Sequence, residues 1–514
     1  MKRVIALVLC FALLPGLFSG CTTQEAYVPT GDGLTWDDDY TGPTGSTGEP
    51  ETVQELTLVY YPEKTMNPYS CTDFTNRALF SLMYQGLFVT NRNYVTEPVL
   101  CKQYRMSDDM KSYTFYLENA TFSDGTMLKV DDVVASLNHA KESAYYSGRF
   151  LHITEVLASE DGGVTVNLDT ACENLPLLLD IPIVKASQLD ADAPLGTGPY
   201  MLESGTGAMR LRRRNNWWCN ATMAVTAPAI ALIEGQSPTH IRDQFEFYDL
   251  DLVCADPGSD RYADYRCDFE LWESESGIFV YIAFSVFSQF FTNSELRSAL
   301  TYAIDRDKLV EEYYRGFAHS ATLPASPLSP YYNDTLAAKY TYDPVKFVEA
   351  VEKSGIQGTS VTILVNSDDS LRLRVARAIG GMLQDCGVTV VMKELNGQNY
   401  EYAIISREFD IYVGQTKLSP NMDLSAFFST YGELSYGGVN DRSAYALCLE
   451  SLANYGNYYS LHQTVMDQGL LCPVLFRSYA VYATRGVLTG LTPARDSIFY
   501  YSLGKTLEKA KLTD

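Results

Sequence analysis

The sequence predicts a mixed α/β protein of two or three domains, and three observations carry that expectation. The chain has 514 residues, of which 46% are hydrophobic, enough for a large buried core. Segments that alternate polar and apolar stand beside segments with apolar residues at helical spacing along most of its length. No helical-repeat or propeller-like period recurs, which removes the repeat architectures. A net charge of -24 excludes nucleic acid as a partner, because binding phosphates requires an excess of Lys and Arg. The 37 tyrosines each offer a flat apolar face and one hydroxyl, a combination suited to adaptable polar recognition, although most read as sheet-surface residues.

Residues 1–20 read as an export signal: Lys2 and Arg3, an apolar run from Val4 to Leu14, then small residues before Cys21. That run is too short to span a bilayer, and no later stretch of about 18 apolar residues does so. The residues "LFSGC" resemble a bacterial lipobox, with Phe18 departing from the usual small or aliphatic residue. The resemblance implies cleavage before Cys21 and a lipid on its thiol, which with two or three acyl chains holds a protein firmly to a membrane. Residues 21–51 carry seven acids and no Lys or Arg, and read as a flexible tether spanning about 30 Å root-mean-square. Beyond Cys10 and Cys21 an odd number of cysteines remains, without CxxC or Cys/His clusters. They read as buried apolar side chains rather than a disulfide framework or a metal site, and His139 reads as an ordinary histidine on a helix.

In chain order, "ELTLVYY" alternates as a strand and "TNRALFSLMYQGL" is helical through Leu79, Leu82, Met83 and Leu87, closing at Gly86. "SYTFYLENATFSDGT" is a strand that turns at Ser123-Asp124-Gly125, and "KVDDVVASLNHAKES" begins a helix at Asp131 or Asp132. "PLGTGPY" lacks the lysine and hydroxyl of a phosphate loop and reads as a turn, its glycines permitting positive φ or close backbone approach before "YMLES" leaves as a strand. "FTNSELRSALTYAIDRDKLVEEYYRG" reads as helix, with Thr292 and Glu295 at capping-box spacing and Leu296, Ala299, Leu300, Ala303 and Ile304 as a buried stripe. "SVTILVNSD", "LRLRVARAIGGMLQDCGVTVVMKEL" and "EFDIYVGQT" then supply strand, helix stopped by Gly387, strand and strand.

Several of these stretches, in their order and spacing, resemble the bacterial extracellular solute-binding proteins of family 5, the oligopeptide, dipeptide and nickel group that serves ABC importers. "LTLVYYPEKTMNPYS" resembles the opening strand and turn, with Asn67 where an acid is usual; "FSDGT", "GTGPY", "LRRRNNWW" and "AIDR" follow. The resemblance implies a periplasmic-binding-protein-like type II fold, with two α/β lobes joined by a hinge and closing on a solute that contacts both. Lobe I would comprise 52–83, 180–270 and 478–514, an inserted domain 84–179, and lobe III 271–477. It further implies that "DIYVGQTK" pairs with an extended peptide as an added strand, through the backbone of Gly414, Gln415 and Thr416. Tyr281 and Tyr145 or Tyr146 match positions of cleft aromatics, with core or rim packing as the alternative. The acid that meets a peptide ammonium in the family is replaced here by Ser419, Pro420 and Asn421. Asp423, close by but out of register, either serves after a loop shift or caps "DLSAFFS".

The expected function is therefore a lipid-anchored extracytoplasmic receptor that delivers a ligand, most readily a peptide, to the permease of an ABC importer. A monomer without cofactor or metal is expected. A sensing receptor without transport is the alternative, and an extracellular hydrolase is disfavoured because no GxSxG, HExxH or Ser/His/Asp signature is present.

Overall fold

The structure is a computed structural model that describes residues 55–499, apart from 204–208, 221–224, 226, 260, 261, 263, 357, 440, 486–490 and 492. Its centre is an 11-stranded mixed sheet. Edge to edge the order is Thr389–Leu395, Ser360–Asn366, Ile411–Lys417, Phe269–Phe284, Cys472–Thr484, Leu252–Ala255, Leu56–Tyr60, Ala229–Glu234, Arg210–Arg213 and Tyr200–Glu203, with Ala318–Ser320 added beside Cys472–Thr484. The alternating opening stretch is the strand Leu56–Tyr60, parallel to neighbours on both sides, and its Leu56, Leu58 and Val59 are buried as such a strand requires.

Two long antiparallel strands hold the two ends of the molecule together. Phe269–Phe284 pairs with Cys472–Thr484 from Phe269↔Thr484 to Ile282↔Cys472. At one end Cys472–Thr484 continues the sheet through Leu252–Ala255; at the other, Phe269–Phe284 continues it through Ile411–Lys417. Register shifts between Glu275 and Phe279, where Gly277 takes φ +67° with the Arg495 guanidinium packed against it, so a side chain there would be both strained and obstructed. Apolar residues segregate accordingly. Leu56, Leu82, Phe115 and Leu137 belong to one core, Val280, Leu300, Ile363 and Val375 to another, and Tyr281, Tyr412, Phe427 and Leu461 to a third. A separate four-stranded antiparallel sheet, Cys101–Met106, Ser112–Leu117, Val164–Leu168 and Ile153–Ala158, packs on the helix Val130–Ala140 and joins the first core.

"GTGPY" turns by close approach and not by positive φ. The Gly198 amide donates to the Met83 carbonyl at 2.9 Å, and a Cβ on Gly198 would lie 2.5 Å from Met83 carbonyl carbon. "FSDGT" docks on the same loop, Ser123 N–H donating to Gly196 O at 3.0 Å. The buried Arg214 of "LRRRNNWW" donates to Gly198 O at 2.8 Å and Phe122 O at 2.7 Å, and Trp217 Nε1 donates to Thr197 O at 2.9 Å. Three separated motifs thus form one structural knot with no room for a phosphate.

Several local expectations shift. The first helical stretch forms two short helices, Phe74–Ala78 and Phe80–Met83, ending before Gly86. The next helix starts at Val130, with Asp132 Oδ2 accepting from Lys129 N–H at 3.0 Å. Asn293, and not Thr292, caps Ser294–Ala303, accepting from Glu295 N–H, while Thr292 turns its hydroxyl back to Ser288 O. The long helical pattern breaks at Ile304: Asp305 accepts from Lys308 N–H and starts a second helix, Arg306–Tyr314. Arg306, buried, donates to Thr301 O, Ala321 O and Pro473 O, so the "AIDR" stretch ties the two helices to a long strand. Gly387, φ +81°, follows the helix Ser370–Asp385 as expected.

Candidate functional site

A cleft of about 450 Å³ opens between the segment around Tyr145–Leu151 and the segment from Thr416 to Leu434. Its second wall begins at the strand Ile411–Lys417. One edge of that strand is fully laddered to Phe269–Phe284, from Phe284↔Ile411 to Ile278↔Lys417. On the other edge pairing with Ser360–Asn366 covers only Ile411 and Tyr412. Ser285 N–H donates to Asp410 O and Leu418 N–H to Gly277 O, which by strand alternation turns the backbone groups of Gly414 and Thr416 toward the ladder and those of Gln415 to the open edge. Of the three backbone positions expected at a ligand, only Gln415 thus presents an amide and a carbonyl there. Its side chain is already engaged, Nε2 donating to Asp369 Oδ2 at 3.0 Å and Oε1 accepting from Arg477 Nη1 at 3.2 Å. Arg477 in turn pairs with Asp256 at 2.7 Å.

Tyr281 lies directly across from Gly414, and the glycine is required there because a Cβ would sit 2.6 Å from the Tyr281 ring. The ring is 2% exposed, stacked on Phe279 and edge-on to Tyr412 and Phe427. It does not line the cleft, whereas Thr416 and Tyr145 do. Tyr145 stacks on the Arg77 guanidinium, 3.1 Å from carbon to ring centroid, and its hydroxyl donates to Asp496 Oδ1 at 2.6 Å. Tyr146 is buried behind it, edge-on to Tyr145, its hydroxyl accepting from Arg77 Nη2 at 2.8 Å. Asp423 lines the cleft but is already engaged: Oδ1 accepts from Ser425 N–H at 2.8 Å at the start of the short helix Ser425–Phe428, and Oδ2 lies 3.2 Å from His152 Nε2. Cys21 falls outside the described residues.

The fold adds charged residues to this cleft. Lys417 Nζ donates to Asp496 Oδ1 at 2.6 Å, Tyr145 Oη at 2.9 Å and Ser276 O at 2.8 Å. Arg149 pairs with Asp180, and Arg149 and Arg495 flank the second Asp496 oxygen at 3.6 and 3.7 Å. Burial pushes the Lys417 ammonium down to about 7, against the pull of Asp496. Burial acts to raise the Asp496 carboxyl, yet Lys417, Arg495 and Arg149 together hold it well below the usual carboxylate range. Lys417 stands inside the stretch "DIYVGQTK", so its position was legible, but nothing marked Asp496, which lies 79 residues from Lys417 and 351 from Tyr145. Among the described residues no group of three His, Cys, Asp or Glu side chains could hold a metal, and no helix is long and apolar enough to cross a membrane.

Residues 95–437 match the family model of bacterial extracellular solute-binding proteins, family 5 middle. The glutathione-binding protein GsiB of Escherichia coli strain K12 is 25% identical over 351 residues, 63% of this chain, and the matched stretch spans 66% of that relative's length. The substrate-binding protein CtaP of Listeria monocytogenes superposes with a TM-score of 0.72 at 18% identity, over 90% of this chain and all of that one. The oligopeptide-binding protein AppA of Bacillus subtilis, solved with a nonapeptide, gives 0.64 at 19% identity over 90% of this chain and all of that one. NikA of Brucella suis, solved with Fe(III)-EDTA, gives 0.70 at 16% identity over 89% of this chain and all of that one.

Proposed function

This chain belongs to the bacterial extracellular solute-binding proteins of family 5, and from that premise we propose that it receives an extended peptide in the cleft between its lobes and delivers it to an ABC importer. The observation that carries the peptide reading is the open edge at Gln415. Past Tyr412 the strand Ile411–Lys417 pairs with no second strand among the described residues, which leaves a place a bound backbone could fill, and main-chain hydrogen bonds hold peptides with little regard to their side chains. The relatives support it: GsiB is a glutathione-binding protein, and AppA was solved with a nonapeptide. The lobes are 52–83 with 180–270 and 478–514, and 271–477, with 84–179 inserted in the first. The two long strands and the register shift between Glu275 and Phe279 support a hinge where these lobes meet.

Ligand transfer without chemistry is the reading that family membership supports, with Asp423 in the cleft already held by Ser425 N–H and His152. Incubating the pure protein with a peptide library is expected to give native mass spectra of intact one-to-one complexes, and steady accumulation of cleavage products would overturn it. The receptor is anchored through Cys21, a reading supported by the basic start, the apolar run and "LFSGC". Labelled palmitate is expected in the native protein and absent from Cys21→Ser; equal labelling of both removes the anchor.

A further inference from the structure

The segment 84–179 is built into two cores at once. Its Leu87, Leu100, Phe115 and Leu137 pack with Leu56 and Leu82 in the first core, yet Tyr94 and Leu177 are buried in the third, whose other described members all come from 271–477. Tyr94 stands in the turn between Phe88–Thr90 and Thr96–Pro98, which Asn91 shapes by accepting from Asn93 N–H at 2.9 Å and Val95 N–H at 3.0 Å. Its backbone takes φ +61°, a left-handed state that a bulky residue keeps only where its surroundings hold it. What holds it lies on the two long strands. The Tyr94 hydroxyl donates to Glu275 Oε1 at 2.6 Å, and Glu275 is paired with Ser478 directly before the register shift. The Arg495 guanidinium, packed on Gly277 inside that shift, sits 5.8 Å from the Tyr94 ring centroid. A second foothold is made by Glu173. Its N–H donates to Leu452 O at 2.8 Å and its carboxylate accepts from Tyr455 N–H at 3.2 Å, so one residue grips the end of the helix Arg442–Ala453 from both sides. Bonds inside one lobe survive an opening motion unchanged, whereas bonds from a segment packed into one core onto the other body must break or slide.

We propose that segment 84–179 is a clasp: lobe I carries it, and its Tyr94 and Glu173 footholds grip lobe III and hold the lobes together before a solute arrives. This rests on the two-lobe receptor reading and gives the inserted segment its role there. The Tyr94 foothold acts at the hinge itself, through Glu275, and the Glu173 foothold acts on the body of lobe III. Because both belong to one packed segment, they release together. The clasp thereby sets the fraction of protein that is closed, and that fraction multiplies the apparent affinity for any solute that binds the closed form.

Two measurements on the ligand-free protein decide the proposal, and neither depends on which solute it carries. In the first, hydrogen exchange of the Glu173 and Tyr455 amides is followed in the parent, in Tyr94→Phe and in Tyr200→Phe. Tyr200 donates its hydroxyl to Ala227 O at 3.0 Å within lobe I, so its variant loses a comparable buried bond that neither foothold uses. Tyr94→Phe is expected to speed exchange at both amides by about ten-fold, because the two footholds open as one unit, while Tyr200→Phe keeps the parental rates. Parental rates in Tyr94→Phe, or the same gain in Tyr200→Phe, overturn the clasp. In the second, small-angle X-ray scattering compares the parent with the double variant Tyr94→Phe, Glu173→Ala. The double variant is expected to show a larger radius of gyration as the lobes part, and a parental radius overturns the proposal. If the double variant does not fold, the exchange comparison decides alone. Failure here leaves the receptor reading in place, whereas mass spectra without any bound peptide leave the clasp in place.

Discussion

Gln415 is the residue at which the peptide reading is most exposed to test. Its amide points to the open edge and away from the ladder with Phe269–Phe284, so a proline there leaves that ladder intact, as edge positions permit. Gln415→Pro is therefore expected to fold and to weaken a peptide found by library screening by roughly 1 to 3 kcal/mol, the cost of leaving a ligand carbonyl unpaired. Gln415→Ala is expected to bind close to the parent, since its side chain bonds Asp369 and Arg477 and not the edge. Calorimetry on variants with parent-like melts checks both, and parent-like binding by Gln415→Pro places the ligand elsewhere. Tyr281 acts on stability instead, because it packs edge-on to Tyr412 and Phe427 under Gly414. A backbone position such as Gln415 can be read from a short motif, whereas the burial of Tyr281 could not, because a tyrosine on a strand gives no sign of which sheet face is covered.

At the scale of elements, the period of apolar residues was legible and the caps were not always so. Thr292 and Asn293 both suit a helix start, and the choice fell to Asn293 because the Thr292 hydroxyl is bonded back to Ser288 O. The pattern Leu296 to Ile304 runs on into "DRDKLV" as if one helix continued. The break comes because Asp305 caps Lys308 N–H and Arg306 leaves the helix surface to satisfy carbonyls on three other segments. In "GTGPY" the two glycines carry no positive φ. They exist to let the loop lie against the Met83 backbone, a contact between residues over a hundred positions apart that no local pattern encodes.

At the scale of the molecule, His152 links the two walls of the cleft. Its Nδ1 lies 3.1 Å from Asp169 on its own side, and its Nε2 lies 3.2 Å from Asp423 and 3.0 Å from Ser425 Oγ across the cleft. Burial acts to lower its pKa, but Asp423 and Asp169 outweigh that and raise it above 6.5. A raised folded value means that the latch stabilises fully below the ordinary histidine pKa and is lost as pH rises through the folded one. The ligand-free protein is therefore expected to lose stability as pH rises above 6.5 and through the folded His152 value, and His152→Gln is expected to lose much less. Thermal melts across that range check it, and parallel curves for the two proteins would remove the latch. This linkage also shows how Asp423 is held: it accepts from Ser425 N–H beside a short helix and meets His152, a contact invisible without knowing that residues 271 positions apart come together. The sequence by itself determined most of the strands and turns, where the apolar helical faces lie, the α/β class and the family, because hydrophobic period, turn glycines and motif order act over a few residues. Only the tertiary structure decided which charges share the cleft, since Lys417, Tyr145, Arg149 and Asp496 come together through chain topology and side-chain reach, and burial then shifts the Lys417 ammonium down to about 7.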